Sequence, residues 1–524
     1  MRDGLSRASP ADLTNIAQVE VIKGPQSALY GQTEPGGIVN YITKKPKESP
    51  GYRLTLASGS YDLQRAELEA TGPLIGKKLF YLFTAGYRAN KTDLEHYFSR
   101  RKIYTATFAY KLSADTSVTG YWEQSRTISN RGTGAVGELV GSRQSGTNPL
   151  VRTGGVVRSV YLPLIRFNQM GPNDHYVRDY DGANVRVEHR FNRVWSARAN
   201  YELVWKEFHQ DRWSAGLNYV PETGRLTSRT PFHQNQYERS RSMQLDLLGR
   251  FTAGGIRQQL LFAGDYLRTK FENHSIQYTT ADIANTALLT NTMRYLDPLN
   301  PDWTPADLSR VTRFTNLQLR RFFVKGATAS HRAHLLDGRL ITMLSARQNY
   351  VSALVDDIAG TSPAGVPQFL GQGQERAQGF DLSLSARLTP ALTILGTFGY
   401  VDATIRKHET RSLIGDRLTL TAEQTASGIA RYSFLDGALK GLRVGAGMSY
   451  TGDTLVSAQT ATRFRELHGP VQLYNAFASY AWRQGRCRHS VALNSNNLFD
   501  KFYLNTSNKL GRGRELSTTY TVNF

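Results

Sequence analysis

The stretch LSTTYTVNF, residues 516–524, alternates without a break. Leu516, Thr518, Tyr520, Val522 and Phe524 share one face of an extended chain; Ser517, Thr519, Thr521 and Asn523 share the other. Two unlike faces at a period of two read as a strand buried on one side only. An apolar face suits lipid, and a face of small polar residues suits a wet lumen. The same split recurs upstream. In 380–388, Phe380, Leu382, Leu384, Ala386 and Leu388 alternate with Asp381, Ser383, Ser385 and Arg387. In 195–206, Trp195, Ala197, Ala199, Tyr201, Leu203 and Trp205 oppose Ser196, Arg198, Asn200, Glu202, Val204 and Lys206. In 63–71, Ala66, Leu68 and Ala70 oppose Arg65, Glu67, Glu69 and Thr71. Trp and Tyr at strand ends are what an aromatic girdle at a membrane interface requires.

A soluble sandwich also alternates, so the connections decide. After a first strand at 51–59, short turns fall at 72–78, 113–116, 192–195, 252–255, 335–339, 389–392, 435–441 and 483–487. The connections between them are mostly longer, the largest at about 128–175, 209–236 and 272–313. Short turns at one end and long loops at the other mark an up-and-down outer-membrane barrel. The expected fold is therefore all-β: a transmembrane antiparallel barrel of about 18 strands over 51–524. The count is even, as closure of a single bacterial chain generally requires.

Composition agrees. Hydrophobic residues make up 40% of the 524, and mean hydropathy is negative. No apolar run approaches the roughly 18 residues of a membrane helix; LITMLSA at 340–346 is among the longest. A helical membrane protein is excluded, and a barrel is not, because its alternating strands average out as polar. With Cys487 as the single cysteine, no intrachain disulfide can form, and a cysteine-ligated zinc or iron–sulfur site is unsupported. The net charge of +21 is spread along the chain rather than clustered. It fits anionic lipid headgroups and an anionic ligand better than nucleic acid.

Residues 1–50 read differently. NIAQVEVIKGPQSALYGQTEPGGIVNYITKKP (15–46) holds a short strand, a helical turn, a Gly-rich loop and a second strand. It reads as a compact piece that folds inside the lumen. Met1 to Arg7 contain no apolar core of a secretory signal. Since a barrel needs one to reach its membrane, the start is expected to be incomplete or the gene damaged.

The N-terminal segment closely resembles the second half of the plug of TonB-dependent outer-membrane receptors, on their siderophore branch. The residues that carry this are Val19–Val21, Lys23-Gly24-Pro25, Ser27-Ala28-Leu29-Tyr30-Gly31, Gly36-Gly37 and Asn40-Tyr41-Ile42-Thr43-Lys44. SVALNSNNLFDKFY (490–503) resembles the family's penultimate strand, and GFDLSLSARL (379–388) its Gly-x-Glu strand with Asp381 in the acidic place. Phe524 is similar to the terminal aromatic read by the barrel-assembly machinery. The resemblance implies a partial plug over 1–50 in a Gram-negative outer membrane, and active uptake: the barrel binds a ferric siderophore, and TonB pulls on the plug. Iron would arrive inside its chelator, with no cofactor or metal bound by the protein itself. Lipopolysaccharide and outer-membrane lipid would surround the barrel. Two departures are expected. Arg2-Asp3-Gly4 resembles the middle of the family plug, so the signal sequence, TonB box (the TonB contact region) and first plug half are absent. The family barrel has 22 strands, which implies a gap of about four near 350–372.

The resemblance also proposes sites. Tyr30 and Gln32, in the plug turn and loop, are ligand-binding candidates, or Tyr30 only packs the turn. Lys44 and Lys45 end the plug and are candidates to lock it to the wall, a Lys45–Asp381 pair among them, with Arg65 and Glu67 as further lumen charges. One exposed pair would contribute ~1 kcal/mol or less. The long loops carry Tyr161, Trp213, Tyr219, Tyr278 and Trp303, near Arg152, Arg158, Arg166 and Arg212. Aromatic and arginine side chains suit an anionic, ring-bearing chelate, or they decorate the surface. No His-Glu-x-x-His or similar ligand spacing occurs among the 11 histidines. Gly445–Gly447 lies in a predicted strand, not a nucleotide-binding turn, and no catalytic constellation stands out. The alternatives are a receptor for haem or cobalamin, and a non-energised pore or non-functional truncated remnant.

Overall fold

The architecture comes from a computed structural model, which describes residues 2–3, 5, 13–23, 37–130, 132, 135–213, 218–277, 289–307, 316–335, 340–357, 374–408, 411–505 and 509–524. Two strands, β1 (Ile16–Lys23) and β2 (Gly37–Thr43), pair antiparallel near the N-terminus. The remaining long strands form the wall. They are β3 (Gly51–Gly59), β4 (Leu63–Ile75), β5 (Leu79–Asn90), β6 (Ser99–Lys111), β7 (Thr116–Ser129), β8 (His175–Arg190) and β9 (Trp195–Trp213). Then come β10 (Pro231–Ala253), β11 (Ile256–Gln277), β12 (Asn316–Leu335), β13 (Leu340–Asp357), β14 (Gln374–Arg387) and β15 (Leu392–Lys407). The last are β16 (Gln424–Ser433), β17 (Leu442–Thr451), β18 (Val471–Gln484), β19 (Cys487–Asn496) and β20 (Glu515–Asn523).

β3 to β20 close into one barrel of 18 strands in sequence order, with β20 pairing back onto β3. Closure leaves no edge strand whose backbone groups would face lipid unpaired. Alternation sets the faces. Leu68, Trp122, Tyr201, Leu245, Phe262, Leu382 and Leu516 are exposed on the outside. Glu69, Glu123, Asn200, Glu202 and Asp246 are buried on the inside. The connections separate as expected: Gly254–Gly255 between β10 and β11 is short, whereas 130–174 between β7 and β8 is long. Ser60 to Asp62, between β3 and β4, is a short connection at the long-loop end. The turn expected at 335–339 falls outside the described residues apart from Leu335. Residues 350–357 complete β13, while the rest of the expected gap at 350–372 also falls outside them.

One correction concerns the expected loops at 209–236 and 272–313. β9 continues to Trp213, β10 starts at Pro231 and runs 23 residues, and β11 continues to Gln277. At about 3.4 Å per residue, β10 alone reaches ~75 Å, well beyond a hydrocarbon layer that ~10 residues can cross. Above the membrane neither face meets lipid. The strand there is polar on both faces, as in PFHQNQYERSRS (231–242), and loses the contrast that reveals a strand in sequence.

Candidate functional site

The β1–β2 hairpin and its flanks sit against the inner wall through polar contacts from several strands. Lys44 follows β2 and reaches Glu69 of β4 at 2.8 Å, while Arg53 of β3 approaches the same carboxylate at 3.7 Å. Lys44 Nζ also donates to the Thr14 carbonyl at 2.7 Å. Thr14 Oγ1 donates to Glu67, which pairs along its own strand with Arg65 at 2.6 Å. Thr14 comes this close because residue 86 is glycine: a Cβ there would stand 2.9 Å from the Thr14 hydroxyl. Asn15 donates to the Tyr121 hydroxyl.

Among the described residues, the most fully buried ion pair is that of Arg2. Its guanidinium lies 2.6 Å from Glu123 of β7 and 4.0 Å from the centre of the Tyr121 ring. Both charged side chains are almost fully buried, at 4% and 3% exposure. Burial opposes the charge on Arg2, but Tyr121, Glu123 and Glu202 around it outweigh burial and raise its pKa. The neighbouring Asp3 accepts from the Thr43 backbone and hydroxyl and lies 3.7 Å from Arg186 of β8. Two anchors are therefore held at once, Arg2 on Glu123 and Lys44 on Glu69. A cavity of about 220 Å³ runs between this segment and the wall.

Above it opens a larger cavity of about 800 Å³. Its wall comes from the inward positions of β8 to β11, namely Tyr176, Arg178, Lys206, Phe208, Gln234, Gln236, Glu238 and Phe271. The connections at 91–98 and 497–514 add Tyr97, Tyr503, Lys509 and Arg512. Lys206 and Glu238 pair at 2.6 Å across β9 and β10. The Tyr176 and Phe208 rings sit 5.0 Å apart, and the Arg178 guanidinium lies 5.3 Å from the Tyr176 ring. Rings and cations in one partly enclosed space can hold a flat, anionic ligand by stacking and charge. Asn200, Glu202 and Val204 precede Lys206 and Phe208 on the same inward face of β9, so one strand passes from the plug contacts to the cavity.

The loops over the barrel have a core of their own. Val136, Phe167, Leu226 and Leu296 are buried together, with Tyr219 and Trp303 against them. Trp213 packs with Leu289 and Met293. Arg229 joins these groups: it is fully buried, 4.1 Å from the Trp213 ring and 5.3 Å from the Trp303 ring. It donates to the carbonyls of Met293 at 2.6 Å and Asp302 at 2.7 Å. Burial pulls its pKa down to about 10. Trp303 also lies on Gly171, whose φ of +68° and missing side chain let the ring settle; a Cβ would stand 2.3 Å from it.

Thus Trp213, Tyr219 and Trp303 pack the loop core, and Tyr161 stacks on Tyr219 at 4.6 Å. Arg158 faces Glu138 and Phe464, and Arg212 lies over Phe232. Tyr30, Gln32 and Tyr278 fall outside the described residues, as does the Asp381 side chain and with it the expected Lys45–Asp381 pair. Lys44, Arg65 and Glu67 come together as given above. Sequence reasoning did not single out Arg2, Glu123, Arg178 or Phe208. Continuing the period-two face past Lys206 would have found Phe208; nothing local marks Arg2, whose partner is 121 residues away. Nor did helix-type ligand spacing reveal His209, Asp211 and His233, which adjacent strands bring together.

Comparison with known proteins agrees with this plug-and-wall arrangement. Residues 1–38 match the TonB-dependent receptor plug domain, and residues 332–498 match the TonB-dependent receptor-like β-barrel. The chain is 25% identical to the metal-pseudopaline receptor CntO of Pseudomonas aeruginosa (strain UCBPP-PA14), over 98% of this chain and 81% of that protein. It is 22% identical to the ferrichrome outer membrane transporter/phage receptor of Escherichia coli K12, over 93% and 76%. Its fold is similar to that of BauA, the ferric preacinetobactin receptor of Acinetobacter baumannii, with a TM-score of 0.81 at 15% identity over 100% of this chain and 88% of that one. The ferripyoverdine receptor of Pseudomonas aeruginosa gives 0.75 at 17%, over 100% and 79%. This chain carries the plug and β-barrel domains of the TonB-dependent outer-membrane receptors of Gram-negative bacteria, a family of receptors and transporters rather than enzymes.

Proposed function

We propose that this receptor binds a ferric siderophore in the 800 Å³ cavity and passes it inward when TonB displaces the plug. The observation that carries this reading is the cavity lining. Tyr97, Tyr176, Phe208, Phe271 and Tyr503 offer ring faces, while Arg178, Lys206, Lys509 and Arg512 offer positive charge. An anionic chelate of iron needs both, and the net charge of +21 draws such a ligand toward the barrel. The plug contacts support the second step. Lys44–Glu69 and Arg2–Glu123 are discrete links that a pull on the N-terminal segment would break one at a time. The protein's role is positioning and gating; iron stays in its chelator, and no covalent bond changes.

A second reading is favoured by the relatives named for metal-pseudopaline: the cargo is a metal chelate not restricted to iron. Quenching of intrinsic tryptophan fluorescence distinguishes the two. The purified protein in detergent is titrated with ferric hydroxamate, catecholate and carboxylate siderophores, and with nickel and zinc chelates of aminocarboxylate metallophores. The siderophore reading expects one ferric class to bind at least tenfold more tightly than the other chelates, and binding to weaken in Phe208→Ala. Preference for a non-ferric chelate would replace it. Equal, weak binding of all, indifferent to Phe208→Ala, would remove the cavity from the account.

The outer face supports one more partner, the phosphate-bearing headgroups of lipopolysaccharide. Arg239, Arg241, Arg268, Arg321 and Lys325 lie exposed on adjacent strands, on the face that carries Met243, Leu245 and Phe262 lower down. At its C-terminus, Phe524 is exposed and its backbone N–H donates to the Tyr52 carbonyl at 3.0 Å, a placement that suits recognition by the barrel-assembly machinery.

A further inference from the structure

We infer that His209, Asp211 and His233 form a binding site for a divalent transition-metal ion on the outer wall above the membrane, distinct from the ligand cavity. The three residues come from β9 and β10, where Asp211 is paired with His233 in register. Their ligand atoms all lie within 4.8 Å of one another. His233 Nδ1 is 2.6 Å from one Asp211 oxygen, and His209 Nε2 is 3.1 Å from the other. The two imidazoles stand edge to face with centroids 5.0 Å apart. All three residues are half-buried, so the site is accessible yet shaped by its neighbours.

The hydrogen bonds around the cluster favour a cation. His209 Nδ1 lies 2.6 Å from Asn235 Oδ1, an acceptor. In the neutral ring, a proton on Nδ1 bonded to Asn235 leaves Nε2 with a bare lone pair aimed at the Asp211 carboxylate. A lone pair facing a carboxylate oxygen is repulsive until a positive charge sits between them. A metal ion supplies that charge, and the Nδ1–H···O contact fixes the tautomer as an outer partner does for ligating histidines. On the other side, His233 shifts its ring proton from Nδ1 to Nε2 as the ion takes Nδ1, and its ring moves off the Asn235 amide nitrogen, whose oxygen stays on His209. Bonds of ~2.0–2.1 Å from two nitrogens and a carboxylate oxygen require ligand atoms a little over 3 Å apart, so the Asp211–His233 contact opens while the other separations, all within 4.8 Å, adjust to the ion. Two imidazoles with one carboxylate suit zinc, nickel, cobalt or copper rather than magnesium or calcium.

The position defines what such an ion does. Phe208 faces the cavity, and strand alternation turns His209 and Asp211 to the opposite face. An ion there is not on the path through the lumen. It joins two strands side chain to side chain where neither lipid nor plug supports them, and so acts as a staple.

The test uses the full-length protein in detergent, freed of tags and metal, with zinc and cobalt as probes. Zinc is expected to bind one per chain by calorimetry and to raise the melting temperature. Cobalt is expected to give visible absorption bands typical of nitrogen and carboxylate ligation. His209→Ala/His233→Ala should weaken zinc binding by ~100-fold or more and abolish the bands. Asp211→Asn, which keeps the shape, should weaken zinc less while leaving the barrel's heat-modifiable migration in gels unchanged. Phe208→Ala should leave zinc affinity as it is. Zinc binding that survives the double histidine substitution, or no binding by the wild type below 1 mM, would overturn the assignment.

Discussion

The buried pair between Arg2 and Glu123 offers the sharpest test of how the plug is held. Glu123→Leu removes the carboxylate and leaves a guanidinium at 4% exposure without its closest anion. Breaking one side of a buried pair typically costs ~3–5 kcal/mol. Here Glu202 remains near Arg2 and takes part of the charge, so the lower end applies, about 3 kcal/mol or roughly 10²-fold in the docking equilibrium. Amide hydrogen exchange in β1 and β2 should accelerate by about that factor, while β4 and β5 stay protected. In planar bilayers the variant should show transient openings that the wild type lacks. Arg2→Met combined with Glu123→Leu removes both charges and should restore slow exchange, because two apolar side chains can replace a buried pair at little cost. Wild-type exchange in Glu123→Leu, or a double variant as fast as the single one, would refute the reasoning that this pair anchors the plug.

Further outcomes can be checked in parallel. Lys44→Met, at a half-buried anchor shared with Arg53, should accelerate β1–β2 exchange by only about fivefold, ~1 kcal/mol. Arg178→Ala should weaken binding of the preferred chelate by about tenfold and flatten its dependence on salt, read by fluorescence titration. Arg229→Met removes the donors to Met293 and Asp302 from a fully buried position. Loosening of the loop core by ~3 kcal/mol should expose 289–303 to limited proteolysis while the barrel stays heat-modifiable. Leu299, 92% exposed in a long loop, should be labelled as Leu299→Cys by a membrane-impermeant maleimide on intact cells; Cys487, next to a short turn on the opposite side, should not.

The wall was legible because lipid imposes a chemical contrast on every second residue. Phe380, Leu382 and Leu384 are exposed as the alternation requires, and Glu69 and Glu202 are inside. Where lipid ends, legibility ends. The upper halves of β9, β10 and β11 read as loop because His209, Gln210, Asp211 and Arg212 show no difference between faces. Lys44 pairs with the lumen carboxylate of Glu69, a partner the sequence reading did not name, while the expected Lys45–Asp381 pair lies outside the described residues. Which carboxylate depends on the register of a short segment inside an 18-stranded ring, and Arg2 on Glu123 follows from the same long-range geometry. Aromatic and arginine residues in the loops were visible, but composition does not separate a ring that packs from one that waits for a ligand. Trp213 and Trp303 pack around Arg229; Phe208 and Tyr503 line the cavity.

The seam between β3 and β20 carries a consequence for the time order of biogenesis. Arg53 bonds Asn523 across 470 residues, and Tyr52 bonds the final residue. No closed ring exists until β20 has been made and finds β3. Such distant pairing is among the slowest events in folding, and every earlier stage has two raw edges. Loss of even the last few residues would therefore act on the whole barrel at once, leaving a sheet that cannot seal rather than a receptor with a damaged corner.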